Sequence, residues 1–183
     1  MAGSVALGND NVAVGKGALN DSQGDGSIAI GVWALNNITT PTGNIGIGFS
    51  AGRYFTTATG ITAIGYLSMS AAAATGINNT AVGYESLKVI TTGANNTTVG
   101  FQTGVLITTG TGNVAIGASA LIANVSGNNN VAIGLNALAA CTIGSTVAIG
   151  ANALNLNTTG TNNTAVGNDA LRFNIAGIQN TAV

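Results

Sequence analysis

Histidine is absent from this chain, cysteine and proline occur once each, and only 5% of its 183 residues are charged and 4% aromatic. Each shortage excludes something. Acid–base catalysis and metal binding need convergent side chains, and the acids Asp10, Asp21, Asp25, Glu85 and Asp169 are scattered apart from one pair. No enzyme activity, metal or cofactor is therefore expected. The segment Asp21-Ser22-Gln23-Gly24-Asp25-Gly26 resembles the first half of a calcium loop, but the closing bidentate glutamate is missing, so it reads as a solvated turn. A net charge of −1 gives no electrostatic footprint for nucleic acid. No apolar run is long enough to cross a bilayer, so membrane insertion by this segment is not expected either, and Met1-Ala2-Gly3-Ser4 lacks the basic and apolar regions of a secretory signal. The single Cys141 cannot form an intramolecular disulfide. It stands at a position that holds Ile38, Phe55, Ala72, Ile90 and Ile107 elsewhere, which predicts a small buried side chain and not a reactive thiol.

What the chain does have is a glycine-terminated pentapeptide, repeated throughout. It runs from Asn11-Val12-Ala13-Val14-Gly15 and Ser27-Ile28-Ala29-Ile30-Gly31 through motifs ending at Gly48, Gly65, Gly83, Gly100, Gly117, Gly134, Gly150 and Gly167. The steps between these glycines are 16, 17, 17, 18, 17, 17, 17, 16 and 17 residues. A short fixed period is the signature of a solenoid, in which each repeat is one coil stacked on the last. The 46% hydrophobic content, mostly Ala, Val, Ile and Leu, suits thin stacked layers better than a thick globular core. Residues 1–183 thus read as a single repeat domain of about ten coils.

A second glycine series, Gly43, Gly60, Gly76, Gly93, Gly110, Gly127, Gly144, Gly160 and Gly177, runs in phase with the first. Two glycine ladders predict two sharp corners per coil, and two corners imply two short strands. The first strand is the pentapeptide, rich in residues that favour pleated backbone. The second is expected near Ala18-Leu19, Ala34-Leu35, Ser86-Leu87, Ala120-Leu121, Ala137-Leu138, Ala153-Leu154 and Ala170-Leu171. The Asn79, Asn96, Asn113, Asn130 column predicts side-chain bonding to neighbouring backbone or between coils.

Alternation along the first strand gives it two apolar faces. One holds the Val or Ile before each glycine, from Val14 to Val166, and the other holds Ala13, Ala29, Ala63, Ala81, Ala115, Ala132, Ala148 and Ala165. One face can fill the coil and the other must meet a partner. The uniformly small alanines predict that theirs is the contact between chains, with Val and Ile inside.

The pentapeptide, the Ala-Leu after it and the Thr-Thr-Gly turn resemble the head repeats of trimeric autotransporter adhesins, and more closely the related repeats of phage tail fibres and bacterial tail-fibre-domain proteins. Asn113-Val114-Ala115-Ile116-Gly117 is the closest to the adhesin form. The resemblance covers about residues 4 to 183. It implies an all-β, parallel β-solenoid of the left-handed β-roll type, a side-by-side homotrimer, no catalytic centre, and an extracellular place on a virion tail fibre or a bacterial surface. The mostly 17-residue period is longer than the commonest adhesin coil, and no neck, stalk, anchor or chaperone domain is expected within residues 1–183. Asn180-Thr181-Ala182-Val183 begins a further pentapeptide without its glycine, which predicts a segment of a longer fibre or end-to-end stacking.

Candidate contact residues are few. Phe49, Tyr66, Tyr84 and Phe101 recur at steps of 17, 18 and 17, so they should stack just past the glycine corner, with Trp33 exposed beside them. They fit either packing or a platform for host-surface glycans; a protein receptor is the other candidate partner. Arg53, Lys88 and Arg172 share one repeat position and read as a solvated edge or an anion contact. Triplets such as Asn37-Ile38-Thr39 and Asn157-Thr158-Thr159 match the N-glycan acceptor pattern but arise readily in an Asn- and Thr-rich repeat. The alternative function is ice or crystal-surface binding, from the aligned pairs Thr39-Thr40, Thr56-Thr57, Thr91-Thr92 and Thr108-Thr109; that array breaks at Ala73-Ala74, Val125-Ser126 and Thr142-Ile143.

Overall fold

The computed structural model describes residues 8–20, 24–39, 42–71 and 74–183. It is all-β. Eleven short strands form one parallel sheet in sequence order: β1 (Val12–Val14), β2 (Ile28–Ile30), β3 (Ile45–Ile47), β4 (Thr62–Ile64), β5 (Thr80–Val82), β6 (Thr97–Val99), β7 (Val114–Ile116), β8 (Val131–Ile133), β9 (Val147–Ile149), β10 (Thr164–Val166) and β11 (Thr181–Ala182). Each of β1–β10 is the pentapeptide's middle three residues, and each pairs with the equivalent residues one coil on, as in Ala115↔Ala132 and Ile116↔Ile133. Ten such steps at about 4.8 Å give a β-solenoid roughly 50 Å long. The expected all-β, parallel solenoid is what forms.

The backbone departs from expectation on the far side of the coil. Each coil contains one assigned strand, not two. The Ala-Leu segments are turns, and their leucines have positive φ: Leu19 +50°, Leu35 +47°, Leu87 +52°, Leu121 +55°, Leu138 +51°, Leu154 +49° and Leu171 +48°. Each coil takes positive φ at three alternate positions, as at Gly117 (+124°), Ser119 (+56°) and Leu121 (+55°). A strand needs consecutive residues in the extended region, so this alternation curls the chain back instead. Coil-to-coil bonding nevertheless continues there, with Leu121 N–H donating to the Ala137 carbonyl at 3.0 Å and Leu138 N–H to Ala153 at 3.0 Å. The terminal glycines are needed at this corner. A Cβ on Gly134, at φ +131°, would lie 2.5 Å from the Gly150 carbonyl oxygen of the next coil.

The second glycine series proves to be two columns. Gly43 (+69°) and Gly60 (+67°) occupy a positive-φ corner that Asn78, Asn95, Gly112, Asn129, Ser145 and Asn162 fill in other coils. Gly93, Gly110, Gly127 and Gly177 stand two residues earlier and offer their carbonyls to buried asparagines. In the coil ending at Gly150, which is one residue short, the Ile143 carbonyl takes that role for Asn130. Asn113 shows the pattern in full. Its Nδ2 donates to Gly127 O at 2.9 Å and to Asn96 Oδ1 at 3.0 Å, and its own Oδ1 accepts the Asn130 N–H at 3.0 Å. The buried amides are therefore partnered both across the turn and along the rod, as low-dielectric surroundings demand.

The core is a thin column of side chains inside the coils. It combines the strand alanines, the turn Ala-Leu pairs, and Ile38, Phe55, Ile90, Ile107 and Cys141, fully buried except for Ala13, Ala170 and Leu171 near the ends, which are partly buried. Volume is traded between facing positions in the β6 coil. Thr98 replaces the strand alanine in β6, and the leucine opposite is replaced by Gly104, on which a Cβ would lie 3.2 Å from Thr98 Cγ2. Cys141 is enclosed as expected, and burial pushes its thiol above the ordinary value.

Candidate functional surface

The strand's inside and outside are the reverse of the expected assignment. Ala29, Ala63, Ala81, Ala115, Ala132, Ala148 and Ala165 are fully buried within the coils, and Ala13 is partly buried against the same core. They cannot touch a second chain. The Val and Ile before each glycine face outward instead, with Val14 56%, Ile30 39%, Val99 36%, Ile116 38% and Ile149 37% exposed. The reason is space. The Leu and Ile from the opposite wall already fill most of the interior, and little more than a methyl fits between them except in β6, where Gly104 makes room for Thr98. The outward surface of the sheet is an apolar stripe of ten rungs, from Val14 to Val166.

Immediately past the glycine corner the aromatic column forms as the spacing predicted. Phe49 stacks on Tyr66 at 5.3 Å, Tyr66 on Tyr84 at 5.2 Å and Tyr84 on Phe101 at 5.3 Å, with interplanar angles of 15°, 10° and 13°. The rings are 38–52% exposed. Because they lie face to face, each covers its neighbour, and solvent meets mainly their edges. A sugar that stacks on a ring face finds its access confined to the end of the ladder, at Phe101, where the column continues with Ala118. Trp33, expected to be exposed, is half-buried. It packs edge-on against Phe49 at 5.5 Å, and the Arg53 guanidinium lies over its ring at 4.3 Å.

The three cations of one column behave differently. Lys88 Nζ pairs with Glu85 Oε1 at 2.7 Å and Arg172 with Asp169 Oδ1 at 3.2 Å, each with the acid three residues earlier. Lys88, followed by the Gln102 amide at 2.9 Å, holds the Glu85 carboxyl below its ordinary value. Arg53 has Ser50 three residues earlier, and no ion pair forms there among the described residues.

The calcium-like segment falls partly outside the description, since Asp21, Ser22 and Gln23 are not among the described residues. Asp25 accepts the Asn9 N–H at 2.6 Å and so caps the neighbouring turn. Among the described residues no three His, Cys, Asp or Glu side chains gather as a metal set, and no helix is long and apolar enough to cross a membrane. The threonine turns form a ladder in which Thr91 Oγ1 donates to Thr108 O at 3.0 Å and Thr108 Oγ1 to Val125 O at 3.2 Å. Thr40 and Ala73 of the expected array lie outside the described residues. An open cleft of about 440 Å³ lies beside the one-residue-short coil, lined by uncharged residues including Ser126, Asn128, Asn129, Ser145 and Thr161. Sequence reasoning missed this cleft, although the 16-residue step to Gly150 was its signal.

Compared with known proteins, the chain matches no family model, no curated protein and no solved structure.

Proposed function

We propose that this chain is a non-enzymatic structural module of an extracellular fibre, either a phage tail-fibre shaft or a bacterial adhesin head, that gives rigid reach and contacts a host surface. Three copies pack side by side through the outward Val and Ile column, and the rods can continue end to end. The observation that carries this reading is the apolar stripe. A monomeric soluble rod has no use for ten aligned Val or Ile side chains facing water, whereas self-association buries them all at once. A backbone bonded coil to coil along its length supplies the stiffness a shaft needs. The aromatic ladder and its flanking cations are the surface left for a receptor or glycan.

Light scattering on the purified chain is the direct test. A mass near three times 17.7 kDa is expected, and a stable monomer at micromolar concentration would remove the proposal's basis. Ile116→Glu together with Ile133→Glu should dissociate the assembly while leaving the circular dichroism of the coils intact.

A further inference from the structure

We infer that Arg53 is a binding site for the carboxylate of an acidic sugar, which takes the place that a side-chain carboxylate occupies in two other coils. The repeat supplies the argument. At this column a cation follows, by three residues, a position occupied by Glu85 in one coil and Asp169 in another, and both acids bond their cation. In the Arg53 coil that position is Ser50, whose backbone is the same, at φ +53° against +52° for Glu85. The carboxylate alone is missing. Ser50 Oγ is buried without a hydrogen-bond partner, and so is Arg53 Nε. Arg172 Nε shares that condition, but its guanidinium is anchored by Asp169 through Nη1.

The guanidinium is held all the same. It lies 4.3 Å over the Trp33 ring and 4.6 Å from the Tyr54 ring centre. Ring contacts engage the flat face of a guanidinium and leave its in-plane N–H groups unspent. Arg53 is half-exposed, so its terminal nitrogens are positioned for a planar, two-oxygen acceptor. That geometry favours a carboxylate, the group the repeat itself uses there. The neighbouring Trp33 and Phe49 edges offer apolar contact for a sugar body, and no acid of the described residues pairs with the cation in competition. The choice of a sugar rests on the host-surface part of the proposed function. The binding test reads Arg53 in trimer or monomer alike, so its failure is separable from failure of the assembly reading.

Trp33 is the only tryptophan, so its fluorescence reports this site directly. Titration of the full chain with glucuronate and with N-acetylneuraminate should give a saturable change in the millimolar range, while glucose gives none and acetate a response about tenfold weaker. Arg53→Gln should abolish the change and Lys88→Gln should preserve it. Ser50→Glu should also abolish it, by supplying the missing carboxylate from within, without lowering the melting temperature. A response unchanged in Arg53→Gln, or one equal for glucose and glucuronate, overturns the site. An equal response to acetate overturns its assignment to a sugar. If Arg53→Gln melts early, Ser50→Glu decides, because it retains the arginine and its ring contacts.

Discussion

The coils that carry the ring ladder and the coils beyond it share a backbone and an outward Val and Ile column but differ in the columns beside it. Both halves bury a strand alanine, Ala63 and Ala81 in one, Ala132 and Ala148 in the other, and both extend the same parallel register. Outside, Phe49, Tyr66, Tyr84 and Phe101 give way to Ala118, Leu135 and Ala151, and no charged residue stands between Lys88 and Asp169. Even inside, Ile38, Phe55, Ile90 and Ile107 are succeeded by Asn124, Cys141 and Asn157. The asparagines are tolerated because each closes on the turn three residues later, Asn124 on Gly127 at 2.8 and 3.0 Å and Asn157 on Gly160 at 2.7 Å. The difference separates two kinds of column. The buried columns define the coil whether or not they change, the outward Val and Ile column runs through both halves, and the outer columns that change are free to serve further contact.

The largest effect should come from a column common to both halves. Ala115→Glu places an unpaired carboxylate in a fully buried site with no room for it, and should cost about 3 kcal/mol or more. The same change one residue on, at Ile116, should cost little in an isolated rod because that side chain faces out. Chemical denaturation of both variants, under conditions where the chains are monomeric, checks the pair. Equal destabilisation would erase the distinction between inner and outer columns.

That distinction was only half legible in the sequence. The period, the parallel stacking and the aromatic ladder follow from spacing alone, because stacked coils must superpose equivalent positions. The two-faced strand was legible too, but not which face turned inward. Alternation fixes that Ala115 and Ile116 point opposite ways, and the interior volume that decides between them depends on Leu121 and Ile107 across the coil. The second strand was misread for a related reason. Leu121 and Leu138 are apolar and periodic like strand residues, but their positive φ appears only once the chain must reverse within a few residues. Arg53 shares its column with Lys88 and Arg172, and only the structure separates the cations paired with an acid from the one that lies over the Trp33 and Tyr54 rings without one.

The ladder gives the next largest effect, and it can be moved in both directions. Tyr66→Ala removes a ring stacked on both sides and should cost about 1–2 kcal/mol. Ala118→Phe adds a ring beyond Phe101 and should recover about 0.5–1 kcal/mol by extending the stack into the second half. Thermal melts of the two variants provide the measurement. A destabilised Ala118→Phe would mean that the second half's outer surface is constrained by something other than an absent ring.

The smallest effect is electrostatic and is sharpest in the ring-bearing half, where Glu85 is bonded to both Lys88 and Gln102. A carboxyl held below its ordinary value in the folded state adds stability that is fully present above the unfolded value, about 4.3 for glutamate. That increment is lost as pH falls through the lower, folded value. Both side chains keep solvent contact, 35% for Lys88 and 14% for Glu85, so screening limits the increment to a few tenths of a kcal/mol, on the order of 0.3–0.5. Lys88→Gln removes the larger cause and leaves the Gln102 bond. Its melting temperature should therefore fall slightly below that of the parent near pH 7, and the gap should close as pH falls below the unfolded glutamate value and through the lower folded one, where protonated Glu85 no longer distinguishes the two proteins. A gap that stays constant from pH 7 down through that acid range would show that Lys88 acts through the packing of its stem and not through charge.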